Sequence, residues 1–296
     1  MKSIKPYIDL TRIHFFFAWP LLFCSGLFLA FNNYGGFSWP LIIKAALIGL
    51  IGFEAGFILN DYVDRNLDKK DVEDRLTKYW RPFKKRPIPS GQIHPRKVLF
   101  LFFLLVIIAS ALILTLPYPH NLYLLTIMIY CYSMEYFYQV KKRHQGFPWA
   151  QLLGRTDFAM FPVAGYLIQG FPDKSALLYF LFFYPFALAH LGVNDLIDVK
   201  NDKVRKLKTV PVMYGMKGTI RWILAFTILH FIAMPFFLTN LGTVASVGFM
   251  IGVILLAFAN YKIMRGKSSD AGLKVLPMFH VTMLIYSISI IAEYMI

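Results

Sequence analysis

Two stretches of the chain combine residue types and spacing that could do chemistry. They are Asn60-Asp61-x-x-Asp64-x-x-x-Asp68-Lys69 and Asn194-Asp195-x-x-Asp198-x-x-x-Asp202-Lys203. On a helix of 3.6 residues per turn, offsets of 0, 1, 4 and 8 fall within an arc of about 100°. Each stretch is therefore expected to present one amide and three carboxylates to one side. Two facing clusters of this kind repel each other unless cations lie between them. Hard oxygen donors in this number suit Mg²⁺, which keeps waters and completes its shell with phosphate oxygens. Two such ions are expected, and the chemistry they point to is the handling of a diphosphate at a membrane surface.

Membrane-spanning helices must position these motifs. Of the 296 residues 57% are hydrophobic and only 16% charged, and mean hydropathy is positive. That is too apolar for a soluble domain of this length. Nine apolar runs have lengths suited to crossing a bilayer: 13–31, 41–59, 97–116, 121–138, 149–169, 175–193, 219–239, 242–261 and 275–295. The expected fold is an all-α integral membrane protein, nine transmembrane helices in one bundle, with a single domain over 1–296. The first run contains Trp19-Pro20 and lacks a clear small-residue cleavage site, so it reads as a helix and not as a signal peptide. Cys24 and Cys131 fall inside predicted helices and predict neither a disulfide nor a metal site.

The net charge of +15 is distributed unevenly. Of the 31 Lys and Arg, 28 lie before the first run or in and beside the segments after the second, fourth, sixth and eighth. Loops 32–40, 117–120 and 240–241 carry no basic residue. The positive-inside rule then puts the N-terminus and both acidic motifs in the cytoplasm and the C-terminus outside. Topology and contact with anionic membrane lipids explain most of these charges. Nucleic-acid binding is not expected, because no soluble domain exists to carry it.

The motifs are 134 residues apart, which is four crossings, so the second and sixth runs point the same way. Two parallel four-helix halves plus a ninth helix are implied, with one joint site on one side of the membrane. The segments after the motifs also rhyme: Lys85-Arg86-Pro87-Ile88-Pro89-Ser90-Gly91 and Lys208-Thr209-Val210-Pro211-Val212-Met213-Tyr214-Gly215. Both read as turns leading back to the membrane. The first connector, 60–96, is long enough to hold a short amphipathic helix lying over the site as a lid.

The order N-D-x-x-D-x-x-x-D, R-P-[IL]-x-x-G, D-x-x-D-x-x-x-D and K-T-[LV]-P-V resembles the UbiA superfamily of intramembrane prenyltransferases over nearly the whole chain. The resemblance implies a nine-helix bundle and Mg²⁺-dependent transfer of a polyprenyl group from its diphosphate. Asn60, Asp64 and Asp68 would then serve one Mg²⁺, with Asp61 beside them, and Asp195, Asp198 and Asp202 the other. Asp64, Asp68, Asp198 and Asp202 are the expected catalytic acids. It also implies a Lys after the fourth helix on the diphosphate, for which Lys142 is the first choice.

A departing diphosphate gathers negative charge, which bound metals and nearby cations stabilise more in the transition state than in the ground state. Candidate head-group binders are Arg81, Arg86, Tyr138, Lys141, Lys142, Lys208 and Asn194. An allylic cation must be kept from water and can rest on aromatic faces. The cluster Tyr130, Tyr132, Tyr136 and Tyr138 is a candidate pocket wall, Tyr132 above all. Glu54, Glu135 and Asp157 are acids within predicted helices and could position or deprotonate an acceptor; Arg155 could simply neutralise one of them. His190, one turn before Asn194, reads first as a packing residue. The expected partners are a prenyl diphosphate and a lipophilic acceptor, either an aromatic ring of the quinone or haem type or a prenylated glycerol phosphate. A transporter of divalent cations or phosphate is the rival reading. Polar residues confined to the cytoplasmic helix ends count against it. A lipid diphosphate phosphatase would need a dedicated nucleophile or base, and none stands out.

Overall fold

A computed structural model describes residues 4–239 and 241–295. Asn240, in the connection expected at 240–241, lies outside the described residues, as do the first three residues and Ile296. Among the described residues the secondary structure is entirely helical. Short α1 (Lys5–Leu10) precedes α2 (Ala18–Tyr34) and α3 (Trp39–Asp64). A connector carrying α4 (Arg75–Trp80) leads to α5 (Pro95–Leu114) and α6 (His120–Lys141). Then come α7 (Trp149–Gly154), α8 (Thr156–Tyr166), α9 (Lys174–Val204), α10 (Val210–Leu238), α11 (Thr243–Gly266) and α12 (Ser269–Met295).

Local chemistry sets the ends that matter. Ser38 caps α3 by accepting from the Leu41 amide at 3.4 Å, with Pro40 in the first turn. Asp173 does the same for α9 through the Ala176 amide at 2.9 Å. Such caps satisfy amides that a helix start leaves unpaired. At the other end of α9, Lys206 turns left-handed (φ 59°) and the Leu207 amide donates back to the Asp202 carbonyl at 2.9 Å.

All nine apolar runs are helical. Among the described residues, seven helical segments, 13–34, α3, α5, α9, α10, α11 and α12, are long and apolar enough to cross a membrane. The other two runs differ from expectation for a visible reason. Run 121–138 forms α6, whose inner face carries Glu135, Tyr138 and Gln139, all buried. Run 149–169 is divided into α7 and α8 at Arg155. The polar face lowers the apolarity of α6, whereas α7 and α8, of 6 and 11 residues, are each too short to cross alone.

The bundle closes on itself because α12 packs against both α2 and α9. Helix α2 also packs on α8, and there Gly26 and Gly165 let the backbones touch: a Cβ on either would overlap the other helix's main chain. Small residues permit such close crossings in bilayers, where packing and not hydrophobic burial drives association. The C-terminal ends of α3 and α9 face one cavity, so the two motif helices run the same way. The first rhyming segment is a turn, with Gly91 at φ 72°. The second is already helical from Val210, and Gly215 (φ 66°) kinks α10 instead.

Candidate active site

The motif ends of α3 and α9, the connector with α4, and the inner faces of α6 and α8 enclose a cavity of about 270 Å³. Asn60, Asp64, Asp68, Asn194, Asp195, Asp198 and Asp202 all line it. Its other end is aromatic, with Trp19, Phe53, Phe57, Phe158 and Phe161. Trp19 stacks on Phe53 at 3.8 Å between centroids. A smaller apolar cavity of about 60 Å³ shares Gly52, Cys131, Tyr132 and Phe161 with it, and the Tyr132 hydroxyl donates to the Gly52 carbonyl at 3.0 Å between them.

Basic side chains of the protein stand among the facing acids. Lys142, buried, places its ammonium 2.6 Å from Asp64, and Arg143 adds a contact at 3.2 Å. Arg86 reaches Asp68 at 2.5 Å and Asp71 at 3.2 Å. Arg205 joins the two motifs: it lies 3.1 Å from Asp68, against Asp71, and 3.4 Å from Asp198. Asn201, between Asp198 and Asp202, ties them again by accepting from the Val72 and Glu73 amides at 2.9 Å. Thr209 donates to Asp202 at 2.7 Å, and Gln151 to Asp195 at 3.4 Å. Burial raises the carboxyls of Asp68 and Asp71 above the usual carboxylate range, with Arg86 and Arg205 opposing the shift.

Three expected site residues fall elsewhere. Asp61 sits at the edge of the motif's arc and turns out of the cavity, held by Arg81 at 2.7 Å and Arg12 at 3.0 Å. Arg81, though at the cavity rim, is thereby committed to Asp61. Lys141 is about 100° round the helix from Lys142 and does not line the cavity. Lys208 has an exposed side chain, and its contribution is its backbone, whose amide donates to the Lys142 carbonyl at 2.7 Å. The expected single helical face of the first motif also breaks, because α3 ends at Asp64 and Asp68 opens a 3-10 turn. Among the four tyrosines, Tyr132 and Tyr138 line the cavity, whereas Tyr130 and Tyr136 face outward.

Of the intramembrane acids, Glu135 accepts from Asn60 at 2.7 Å and lies 3.9 Å from Arg155, which is 4.0 Å from Asp157. Arg155 and Lys142 also cover the Tyr138 ring, at 5.4 and 4.8 Å. Glu54 is buried outside the cavity, with both carboxylate oxygens unpartnered. Arg12, Arg143, Gln151, Thr209 and Arg205 also stand at the site, beyond the residues expected from the motifs. Arg205 follows Asp198 by seven residues, two turns along the same face, and Thr209 lies in the K-T-V-P-V segment, so these two carried a local signal.

Among the described residues no group of three or more His, Cys, Asp or Glu stands ready-made to hold a metal ion. The donor chemistry nevertheless suits a hard cation. The acids are oxygen donors, and Asn194 Oδ1, on the cavity wall beside them, is buried without a hydrogen-bond partner.

A helical membrane bundle that turns paired acidic motifs and buried cations onto one end of an aromatic cavity is of the intramembrane prenyltransferase class. The model of the UbiA prenyltransferase family matches residues 17–284. The chain belongs to that family and is a prenyltransferase. It is similar to a protoheme IX farnesyltransferase of Neorickettsia sennetsu, 27% identical over 79% of this chain and 75% of the relative. It is also similar to a digeranylgeranylglyceryl phosphate synthase of Methanosphaera stadtmanae, 24% identical over 84% and 86% of the two chains. Among solved structures, a UbiA homolog from Archaeoglobus fulgidus bound to GPP and Mg²⁺ shares the fold, with a TM-score of 0.69 at 16% identity over 97% of this chain and 99% of that one.

Proposed function

We propose that this prenyltransferase takes a polyprenyl group from a prenyl diphosphate in the presence of Mg²⁺ and passes it to a lipophilic acceptor in the membrane. The observation that carries this reading is the polarity of one cavity, with acids and buried cations at one end and aromatic rings at the other. Asn60, Asp64 and Asp68 would hold one Mg²⁺ and Asp195, Asp198 and Asp202 a second. When bound, the ions supply positive charge to the leaving diphosphate. Binding of GPP and Mg²⁺ by the A. fulgidus homolog supports the assignment.

The reaction breaks the allylic C–O bond, with its electron pair leaving on the diphosphate. Lys142, Arg86 and Arg205 face that oxygen end, where a water-poor cavity strengthens their effect on the developing charge. The allylic cation left behind lies against Trp19, Phe53, Phe57 and Phe158, whose π faces stabilise it. The acceptor's attack forms the new bond, and the proton it displaces leaves with solvent. The two relatives are named for acceptors of different kinds, a haem and a glyceryl phosphate lipid. The acceptor of this chain is drawn from the same two classes, aromatic rings and prenylated glycerol phosphates.

In the bilayer, α6 and the pair α7–α8 make two further crossings. They complete nine, as two parallel four-helix halves and a ninth helix in a single domain over 1–296. The basic segments put the N-terminus and the cavity mouth in the cytoplasm and the C-terminus outside. Cysteines introduced at Asn33 and Lys69 in a Cys-free protein label from opposite sides of sealed vesicles. Labelling from the same side overturns this topology.

The test of function is to incubate purified protein and Mg²⁺ with labelled prenyl diphosphates and a panel of both acceptor classes, then analyse by mass spectrometry. The expected result is a prenylated acceptor and released diphosphate. Hydrolysed prenol without a prenylated product would favour a phosphatase.

A further inference from the structure

Three helices that are far apart in sequence meet in one hydrogen-bonded chain beside the cavity. On α4, the Tyr79 hydroxyl lies 2.6 Å from Nδ1 of His280 on α12. Nε2 of His280 lies 2.9 Å from Nε2 of His190 on α9. Asn194, one turn further along α9, places its Nδ2 3.1 Å from the His190 carbonyl and 3.3 Å from His190 Nε2. His190 lines the cavity, and its Nδ1 has no protein partner among the described residues.

Only one arrangement of protons makes every one of these contacts a hydrogen bond. A carbonyl only accepts, so the Asn194 group facing it is the amide NH₂, which also points at His190 Nε2. His190 Nε2 must then be the lone-pair nitrogen, and the neutral ring carries its proton on Nδ1. With His190 Nε2 accepting, His280 Nε2 must donate. His280 Nδ1 is then the lone pair that receives the Tyr79 O–H. The result is an N–H on a cavity-lining ring, set by Asn194 and by two residues, His280 and Tyr79, that do not line the cavity themselves.

Taking prenyl transfer as the reaction, we propose that His190 Nδ1–H is the hydrogen-bond donor that binds and orients the acceptor, through an oxygen of its ring substituent or head group. The diphosphate has its own cations in Lys142, Arg86 and Arg205, whereas His190 is neighboured by apolar rings, Phe158 at 6.1 Å and Phe279 at 6.3 Å. Glu135 and Asp157 are less suited to this role, since each already faces Arg155 and accepts other hydrogen bonds. Tyr79 and His280 are positioning residues. Because Tyr79 belongs to α4, the donor is fully set only when that short helix covers the site.

Nitrogen-15 spectra of histidine-labelled protein read the tautomer without turnover: His190 protonated on Nδ1 is expected, and protonation on Nε2 overturns the proposal. The kinetic arm compares His190→Asn, which keeps an N–H near the Nδ1 position, with His190→Phe and Tyr79→Phe. Haem, 4-hydroxybenzoate and geranylgeranylglyceryl phosphate serve as acceptors. With an acceptor that the wild-type protein prenylates, His190→Phe should raise its KM on the order of tenfold. His190→Asn should recover most of that loss, and Tyr79→Phe should fall between. Calorimetric binding of inorganic diphosphate with Mg²⁺ should stay within about twofold in all three, a single hydrogen bond being worth more than that. An unchanged acceptor KM in His190→Phe, or an equal weakening of diphosphate, overturns the acceptor role. Product formation by the wild-type protein tests the transfer reading separately.

Discussion

The two acidic motifs share their spacing but not their structure. In the second, α9 runs unbroken to Val204 and turns Asp195, Asp198 and Asp202 all onto the cavity. In the first, α3 stops at Asp64, Asp68 continues on a 3-10 turn, and Asp61 leaves the site for Arg81 and Arg12. The stretch Arg65-Asn66-Leu67 follows α3, and the Arg65 guanidinium donates to the Tyr62 carbonyl at 2.5 Å, taking a carbonyl that the helix end leaves free. The second motif is thus a rigid face. The first divides its acids between the cavity wall, where Asp64 and Asp68 stand, and the anchoring of the connector that covers the cavity, through Asp61 and Arg81. Equal spacing has been given unequal work.

Substitution separates the two roles. Asp198→Ala and Asp64→Ala should each lower turnover about a thousandfold or more in folded protein. Their combination should cost little beyond either alone, because the clusters act as one unit. Near-normal turnover in either variant would end the model of paired acidic sites. Arg205→Ala comes next, at about a hundredfold, in line with the removal of one charge-stabilising group. Arg205→Lys should recover only part, because an ammonium cannot span Asp68, Asp71 and Asp198 as the guanidinium fork does. Full activity in Arg205→Ala would show that the motifs do not depend on this bridge.

Asp61→Asn should show the opposite balance. Turnover of the folded fraction should fall only a few-fold, while thermal stability drops, since breaking a buried pair from one side costs about 3–5 kcal/mol. A thousandfold loss of turnover with an unchanged melting temperature would put Asp61 back among the reacting groups.

The sequence carried the parts of this site that obey helical periodicity. Apolar runs, acid spacing and the length of the first connector led to the bundle, to both motifs on one cavity, and to a helix over it. Periodicity alone does not separate Tyr132 and Tyr138, which line the cavity, from Tyr130 and Tyr136, because Tyr132 and Tyr136 lie one turn apart on the same side of α6. Arg12 was not legible, because a basic residue ahead of a membrane helix looks the same whether it sets topology or holds a buried acid. The pairing of His190 with His280 joins residues 90 positions apart, and no local pattern marks such a contact. The end of α3 was missed because Asp68 keeps the helical spacing after the helix itself has stopped.

The smallest effect concerns the aromatic end, where the comparison is between the two cavities. The Tyr132 ring and its bond to the Gly52 carbonyl stand between the main cavity and the apolar one of about 60 Å³ beyond it. A prenyl tail reaching that wall gains nothing from further length, whereas each additional CH₂ buried beyond it would add about 0.8 kcal/mol. Tyr132→Ala should therefore leave the affinity for inorganic diphosphate unchanged and shift donor preference several-fold toward the next longer prenyl diphosphate. Tyr132→Phe keeps the ring but loses the bond, worth about 1 kcal/mol, so it should shift the preference less. Competition between donors of successive length, read by mass spectrometry of the products, measures both variants. An unchanged length preference in Tyr132→Ala would mean that the tail leaves the cavity by another route.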